Sequence, residues 1–140
     1  MDAKRFVIGT LVGGVAVCVT GYLISTAGPF RSFLAYAMDA GSATGVAREP
    51  PLVWAVALGA LSYSALVTYV IGSRAGSLNT GAGIRIGAVV GFLLWFTADF
   101  MFYGLSNVGT LTSTVVDPLI ELVPGAVAGG VIAIVLKKSR

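Results

Sequence analysis

The sequence predicts an all-α protein, a four-helix transmembrane bundle formed by one domain over residues 1–140. Two observations carry this prediction. Apolar residues make up 56% of the chain and charged residues only 11%, less than half of the charged fraction typical of soluble domains. The apolar residues also fall into four segments, each with the roughly 20 residues that a helix needs to cross the hydrocarbon core of a bilayer. We therefore expect a multi-pass membrane protein.

The four predicted spans are apolar around the whole helix, which is typical of helices that face lipid and one another. They cover residues 6–24, 52–71, 84–105 and 118–136, approximately. Lys4 and Arg5 precede the first span, and a secretory signal peptide also begins with basic residues before its apolar run. The apolar run is longer than the roughly 7 to 15 residues of a signal peptide, so we interpret it as a span.

The loop between the first and second spans is predicted to contain a short interfacial helix. Phe30, Phe33 and Leu34 recur at helical spacing, and Pro29 suits the first turn of a helix. The apolar side of this helix would enter the outer leaflet or cover the mouth of the bundle. A re-entrant segment that packs against neighbouring helices is the alternative for the same residues.

The distribution of basic residues predicts the orientation of the chain. Seven of the nine Lys and Arg residues flank one end of the predicted spans, and two lie at the opposite end. The seven are Lys4, Arg5, Arg74, Arg85, Lys137, Lys138 and Arg140, and the two are Arg31 and Arg48. Because cytoplasmic loops carry the excess of Lys and Arg, we expect both termini in the cytoplasm. The positive charge is not interleaved with aromatic residues, so we expect no nucleic-acid partner.

Small residues recur every four positions in three of the predicted spans and indicate close helix packing. They are Gly9 and Gly13 at the first span, Gly83, Gly87 and Gly91 at the third, and Gly125 and Gly129 in the fourth. Such stripes let helix backbones approach each other within a membrane. They predict seams that lie either inside one bundle or between the chain and a second copy or partner protein.

Acidic and polar residues mark the outer ends of the third and fourth spans as a candidate site. Asp99 lies inside the third span, where a carboxylate is costly unless it is protonated, hydrated or paired. On a helix, Trp95, Asp99 and Tyr103 follow one another by one turn on one face. The candidate polar or ion site comprises Asp99, Tyr103, Trp95, Asn107, Asp117, Glu121, Arg31 and Arg48.

Two interpretations of this group stay open. In one, Arg31, Arg48 or a backbone amide satisfies Asp99 and pins the loop onto the bundle. In the other, Asp99 is a protonatable or cation-binding group that is open to the outside. Asp117 directly precedes Pro118, which predicts a helix cap, and Glu121 in the first turn would favour the positive end of the helix dipole.

The chain lacks the residue patterns of familiar catalytic and metal centres. It has no His and one Cys, and it has no nucleophile elbow, no phosphate-binding glycine loop and no Lys or His base within a span. We therefore expect neither an enzyme nor a bound metal or cofactor.

The second half of the chain carries a set of short motifs. They are the segment from Gly87 to Gly91, the aromatic run from Trp95 to Asp99, Asn107, the pair Val116 and Asp117, and the small residues of the last span. This half resembles the small four-helix bacterial integral membrane proteins that are classed as domains of unknown function. The resemblance implies a four-helix fold and a bacterial inner membrane. It implies no activity, because none is established for those families.

The sequence therefore favours a small non-enzymatic integral membrane protein, an accessory or assembly subunit that packs into a homo-oligomer or a larger membrane complex. Its expected partners are the lipid bilayer and itself or other membrane-protein subunits. The alternative is a small proton- or cation-coupled transporter that uses Asp99. With four spans such a carrier would need to dimerise.

Overall fold

A computed structural model of the chain contains four long helices that pack as an antiparallel bundle. They are α1 (Ala3–Thr26), α2 (Val53–Gly72), α3 (Thr80–Leu105) and α4 (Leu111–Lys138). The structure describes residues 1–27, 31–33, 53–73, 79–105 and 108–138. All four helices are long and apolar enough to cross a membrane. The predicted all-α four-helix bundle is thus confirmed.

Part of the chain between α1 and α2 falls outside this description. Of the predicted interfacial helix, residues 31–33 are described and are helical, and the backbone N–H of Arg31 donates to the carbonyl oxygen of Ala27 over 2.9 Å. The other residues of that predicted helix lie outside the described residues, as do Arg48 and Asn107 of the candidate site.

Side-chain caps set the start of α1 and of α3. A carboxylate oxygen of Asp2 accepts a hydrogen bond from the backbone N–H of Arg5 over 2.8 Å. Asn79 Oδ1 accepts one from the backbone N–H of Ala82 over 2.6 Å. These acceptors satisfy N–H groups of the first turn that have no partner within the helix. The caps explain why both helices extend a few residues beyond their predicted apolar spans.

A reciprocal cap sets the start of α4. Thr110 Oγ1 accepts from the backbone N–H of Ser113 over 3.1 Å, and Ser113 Oγ accepts from the backbone N–H of Thr110 over 3.0 Å. The helix therefore begins at Leu111, about two turns before the predicted fourth span.

Because α4 begins earlier than predicted, its acidic residues lie further from the start of the helix than we expected. The expectation that Asp117 caps the helix is wrong, and so is the placement of Glu121 in the first turn, because both residues lie in the helix interior. Pro118 and Pro124 also lie inside the helix. The added turns extend the helix surface that faces α3, so that the end of this hairpin opposite to the chain ends has two packed helices instead of a loop.

The four helices are packed unevenly. The most extensive interface joins α3 to α4, while α1 packs on both α2 and α4, and α2 touches α4 and α3 only slightly. Among the described residues, α1 and α3 do not meet. The Arg5 guanidinium donates to the carbonyl oxygen of Leu136 over 2.7 Å, so the first turn of α1 and the last turn of α4 lie at the same end of the bundle. The link between α3 and α4 lies at the opposite end.

The glycine stripes of α3 and α4 face each other. A Cβ atom at Gly87 would overlap the carbonyl oxygen of Gly125 and would lie 2.9 Å from the Cα of Gly129. A Cβ at Gly83 would overlap the Gly129 carbonyl oxygen, and one at Gly91 would lie 3.5 Å from the Cα of Gly125. These two helices therefore approach each other backbone to backbone, as glycine stripes permit in a membrane.

The glycines of α1 serve the packing of α1 against α2 and α4. A Cβ at Gly9 would lie 2.6 Å from the methyl group of Thr68. At Gly13 it would meet Ser64 of α2 and, 2.6 Å away, Ile132 of α4. All seven glycines that the sequence singles out are buried between helices of one bundle. Those seams are consequently occupied and do not remain available to a second copy.

The apolar core is formed by side chains of α2 and α4, with residues of α1 and α3 packed against it, in the half of the bundle near the chain ends. Its members are Tyr63, Val67, Ile71, Ile132 and Leu136. Tyr63 is the member furthest from the chain ends, so the packed core stops at the level of its ring. Beyond that level the bundle contains the acidic residues.

Candidate functional site

The face of α3 that packs on α4 changes in character halfway along the helix. Gly91 is the last glycine of its stripe, and Trp95, Asp99 and Tyr103 follow at the same spacing of four residues. A spacing of four residues keeps side chains on nearly the same side of a helix. The side chains that continue the stripe are therefore too large for backbone contact.

The facing side of α4 changes at the same level. Going from Gly125 back toward the start of the helix, Glu121, Asp117 and Ser113 occupy the positions four residues apart. Both helices thus carry glycine in one half of their common seam and polar side chains in the other. In the glycine half the two helix backbones are in contact, and in the polar half the larger side chains keep the two helices apart.

A cavity of about 320 Å³ occupies the polar half of the seam. Ligand pockets of proteins begin at about this volume. The lining residues come from α3, from the link between the helices and from α4. They are Asp99, Phe102, Tyr103, Val108, Gly109, Ser113, Thr114 and Asp117. We refer to this cavity as the acidic pocket; it lies at the end of the bundle opposite to the chain ends.

Three carboxyl groups gather at the acidic pocket. Those of Asp99 and Asp117 lie close enough to interact directly, and Glu121 lies within electrostatic range of both. Asp99 Oδ2 is buried and has no hydrogen-bond partner within the described part of the chain. Like charges this close repel each other, and a proton or another cation between them would remove the repulsion.

No described cation fills this role. The charged groups that act on the three carboxyls are the carboxyls themselves. Arg31 is exposed and forms no ion pair with them. Of the two expected neutralising arginines, Arg31 therefore does not satisfy Asp99 in the structure.

The side chains that line the acidic pocket offer mostly hydrogen-bond acceptors. The hydroxyl groups of Ser113 and Thr114 donate their hydrogens to the carbonyl oxygen of Thr110, over 2.8 and 2.9 Å. Thr114 Oγ1 therefore keeps its lone pairs for the pocket, whereas Ser113 Oγ already accepts from the backbone N–H and the hydroxyl group of Thr110. Together with the carboxylates, Thr114 Oγ1 forms an acceptor-rich surface, in which the Tyr103 hydroxyl is the side-chain donor that remains among the lining residues. Such a surface complements a ligand that is positively charged and donates hydrogen bonds.

Tyr63 of α2 closes the seam beneath the acidic pocket. Its side chain is buried, and its hydroxyl group donates to the carbonyl oxygen of Gly87 over 3.4 Å. A Cβ at Gly91 would lie 2.6 Å from the same hydroxyl oxygen, which shows how tightly the ring fits between α3 and α4. Glu121 lies within electrostatic range of this phenol. The Tyr63 hydroxyl thus lies at the edge of the glycine seam, against Gly91 and Gly125, and close to Glu121.

The structure brings together only part of the predicted set. Asp99, Tyr103 and Asp117 line the pocket, and Glu121 lies beside it without lining it. Trp95 does not line it, because its position on α3 is one turn deeper than Asp99, a distance of about 6 Å along the helix axis.

Three polar residues at the site were not identified from the sequence: Tyr63, Ser113 and Thr114. Ser113 and Thr114 precede Asp117 by four and three residues, which is a signal for a shared helix face, but only if α4 begins at Leu111. Tyr63 is followed by Ser64 and is one of a few polar residues inside a predicted span. In a membrane such residues point to other helices, which could have marked this position.

A metal centre does not emerge from this geometry. Within the described ranges of the chain, no three His, Cys, Asp or Glu side chains are arranged to hold a metal ion.

Comparison with models of protein families, with curated proteins and with solved structures finds no match for this chain. The resemblance of its second half to families of unknown function stays a prediction.

Proposed function

We propose that the protein is a small non-enzymatic carrier that binds a proton or a small ammonium-type cation in the acidic pocket and moves it across a membrane. The four apolar helices are compatible with a small multi-pass membrane protein. The observation that supports a cation as the ligand is the acceptor-rich lining, with Asp99 and Asp117 in direct interaction and no described cation beside them. This function corresponds to the alternative that the sequence offered.

The shape of the seam favours a carrier over an open channel. The acidic pocket opens at one end of the α3–α4 hairpin, and beneath it the ring of Tyr63 and the contact between Gly87 and Gly125 fill the space between the helices. A site that is accessible from one side and closed on the other corresponds to one state of an alternating-access cycle. Release on the second side would require the glycine seam to separate.

The proposed location is a bacterial inner membrane with both termini in the cytoplasm. The common position of Arg5 and Leu136 at one end of the bundle supports a single compartment for both chain ends. Seven of the nine basic residues belong to that end by sequence, which favours the cytoplasm. The acidic pocket would then open toward the outside.

Proton transport through Asp99 is testable in proteoliposomes that carry a pH-sensitive dye. We expect the wild-type protein to accelerate the collapse of an imposed pH gradient. In Asp99→Asn the rate should fall by about tenfold or more, the effect of losing a charge-assisted hydrogen bond. An added methylammonium gradient tests the second type of cation with the same dye. Methylamine that diffuses in as the neutral base takes up a proton and raises the internal pH, whereas methylammonium moved by the carrier brings its proton with it and lowers the internal pH.

Asp2→Asn is the matched control, because Asp2 is exposed at the opposite end of the bundle and asparagine caps a helix as well as aspartate does. It should transport at the wild-type rate. The proposed function is wrong if the wild type dissipates neither gradient faster than empty liposomes, or if Asp99→Asn matches the wild type.

A second candidate function is that of an accessory or assembly subunit. The observation that favours it is the one-sided packing of α3, which rests on α4, touches α2 only slightly and does not meet α1 among the described residues. The rings of Phe92, Phe96 and Phe100 form a ladder along this helix, with centroids 5.4 and 4.4 Å apart. A second copy or another membrane subunit that covers the ladder would complete the packing of α3 and would also supply the dimer that a four-span carrier needs.

Disulfide trapping in native membranes tests this assembly. In a Cys18→Ser background, we expect Phe96→Cys to form a covalent dimer or an adduct with another subunit after oxidation. The matched control is Val15→Cys on α1, where the side chain is also exposed but belongs to a helix with two packed neighbours. Equal trapping at both positions, or trapping at neither, would show that α3 faces only lipid.

A further inference from the structure

A second cavity opens between α2 and α3, near the end of the bundle that holds the chain ends. Its volume is about 480 Å³, within the range of ligand pockets. It exists because these two helices touch only slightly, while each packs closely on another partner. The lining residues are Val70, Ala82, Arg85, Ile86, Val89 and Val90. We call this cavity the α2–α3 groove.

The groove combines an apolar wall with one cation. Five of its six lining residues are apolar, and they extend along α3 from residue 82 to residue 90, a length of about 12 Å. Arg85 is exposed, lies about 8 Å from the start of α3, and makes no hydrogen bond or ion pair with the described residues. An arginine at that depth in a membrane helix directs its guanidinium group toward the headgroup region, where phosphate groups are the available anions.

Charge at this end of the bundle favours an anionic occupant. The sequence places seven of its nine basic residues there. Asp2 is the acidic residue among the described residues at this end, and its carboxylate already caps α1. A ligand with a negative headgroup and an apolar chain therefore matches both parts of the groove, the headgroup with the basic end and the chain with the valine and isoleucine wall.

We propose that the α2–α3 groove binds one molecule of an anionic glycerophospholipid, with its phosphate on Arg85 and an acyl chain along Val70, Ile86 and Val89. This inference rests on the proposed membrane location, and it is independent of transport at the acidic pocket. The lipid would fill the space that α2 and α3 leave between them and would thereby link the two helices.

Native mass spectrometry of the detergent-purified full chain tests the site, with phosphatidylglycerol and phosphatidylcholine of identical acyl chains as probes. We expect the wild type to retain one phosphatidylglycerol in preference to phosphatidylcholine. Arg85→Gln should reduce that preference by about fivefold, the effect of one basic residue near a headgroup. Val89→Trp, which fills the groove from an exposed position, should lower the retention of both lipids.

Arg31→Gln is the matched control and should retain phosphatidylglycerol as the wild type does, because residue 31 follows the opposite end of α1. Excess inorganic phosphate should not displace the lipid, since it lacks the acyl chain. Equal retention of the two lipids by the wild type, or an unchanged preference in both Arg85→Gln and Val89→Trp, would overturn the proposal. Asp99→Asn should leave lipid retention unchanged, which separates this outcome from a failure of the transport proposal.

Discussion

Replacing Gly87 with alanine is expected to lower the free energy of unfolding by about 3 kcal/mol, the upper range for overpacking of a well-packed interior. The added Cβ would overlap the carbonyl oxygen of Gly125, and a backbone atom cannot move aside as the end of a flexible side chain can. The helices α3 and α4 would have to separate along their whole contact. Unfolding followed by circular dichroism in mixed micelles of mild detergent and SDS measures the effect.

Gly59→Ala is the matched control, because it makes the same chemical change in the middle of another helix. A Cβ at Gly59 would have no neighbour within 4 Å among the atoms that the structure describes. Alanine is the better helix former, so this variant should be unchanged or more stable by up to about 1 kcal/mol. Opposite signs for the two variants are the expected result. A loss of stability of similar size in both would show that α3 and α4 do not meet at Gly87.

Replacing Tyr63 with alanine is expected to cost about 3 to 5 kcal/mol of unfolding free energy, as for other buried aromatic side chains. The side chain is only 8% exposed and fills the space between α2, α3 and α4. Its removal would leave a cavity that connects the acidic pocket with the glycine seam. The same mixed-micelle titration measures the loss.

Two further variants test whether the loss of unfolding free energy comes from the buried ring of Tyr63. One removes only its hydroxyl group, and the other removes an exposed tyrosine. Tyr63→Phe keeps the ring and removes the long hydrogen bond to Gly87, so it should cost less than about 1.5 kcal/mol. Tyr69→Ala removes a tyrosine that is 63% exposed on the same helix, and its effect should stay within about 0.5 kcal/mol. A large loss in Tyr69→Ala, or a negligible loss in Tyr63→Ala, would contradict the packing of α2 described above.

Both predictions concern one physical boundary. Below Tyr63 the contact between α3 and α4 is made by glycine backbones, and above it by carboxylates and hydroxyls. The stability of the lower half holds the two carboxylate-bearing helices in place, so that Asp99 and Asp117 are kept together in spite of their mutual repulsion. A carrier that releases its cation on the second side would need to loosen this same contact.

The number and type of the helices were predictable because they depend on local composition. A run of about 20 apolar residues in a bilayer has to satisfy its backbone hydrogen bonds within itself, and a helix does so regardless of its neighbours. The glycine stripes were predictable for a related reason, since their spacing of four residues is visible in the chain. The spacing did not determine whether these glycines, such as Gly9 and Gly87, pack against helices of the same chain or against another protein.

The start of α4 was not predictable from local signals alone. Asp117 before Pro118 is a sound helix-start pattern, and so is Thr110 followed by Ser113. The structure uses the second pattern, which adds about two turns to the helix. Ser113 and Thr114 lie in those added turns and line the acidic pocket. Which residues form the site therefore depended on where α4 begins.

Composition and spacing alone determined that this protein consists of four apolar helices with a carboxylate inside one of them, because these properties follow from the chain's own backbone and its solvent. The tertiary structure decided which carboxylates meet, that Tyr63 lies beneath them, and that the glycine seams lie inside the bundle. These features depend on contacts between residues far apart in sequence, such as Tyr63 with Gly125, and such contacts are set by how whole helices pack.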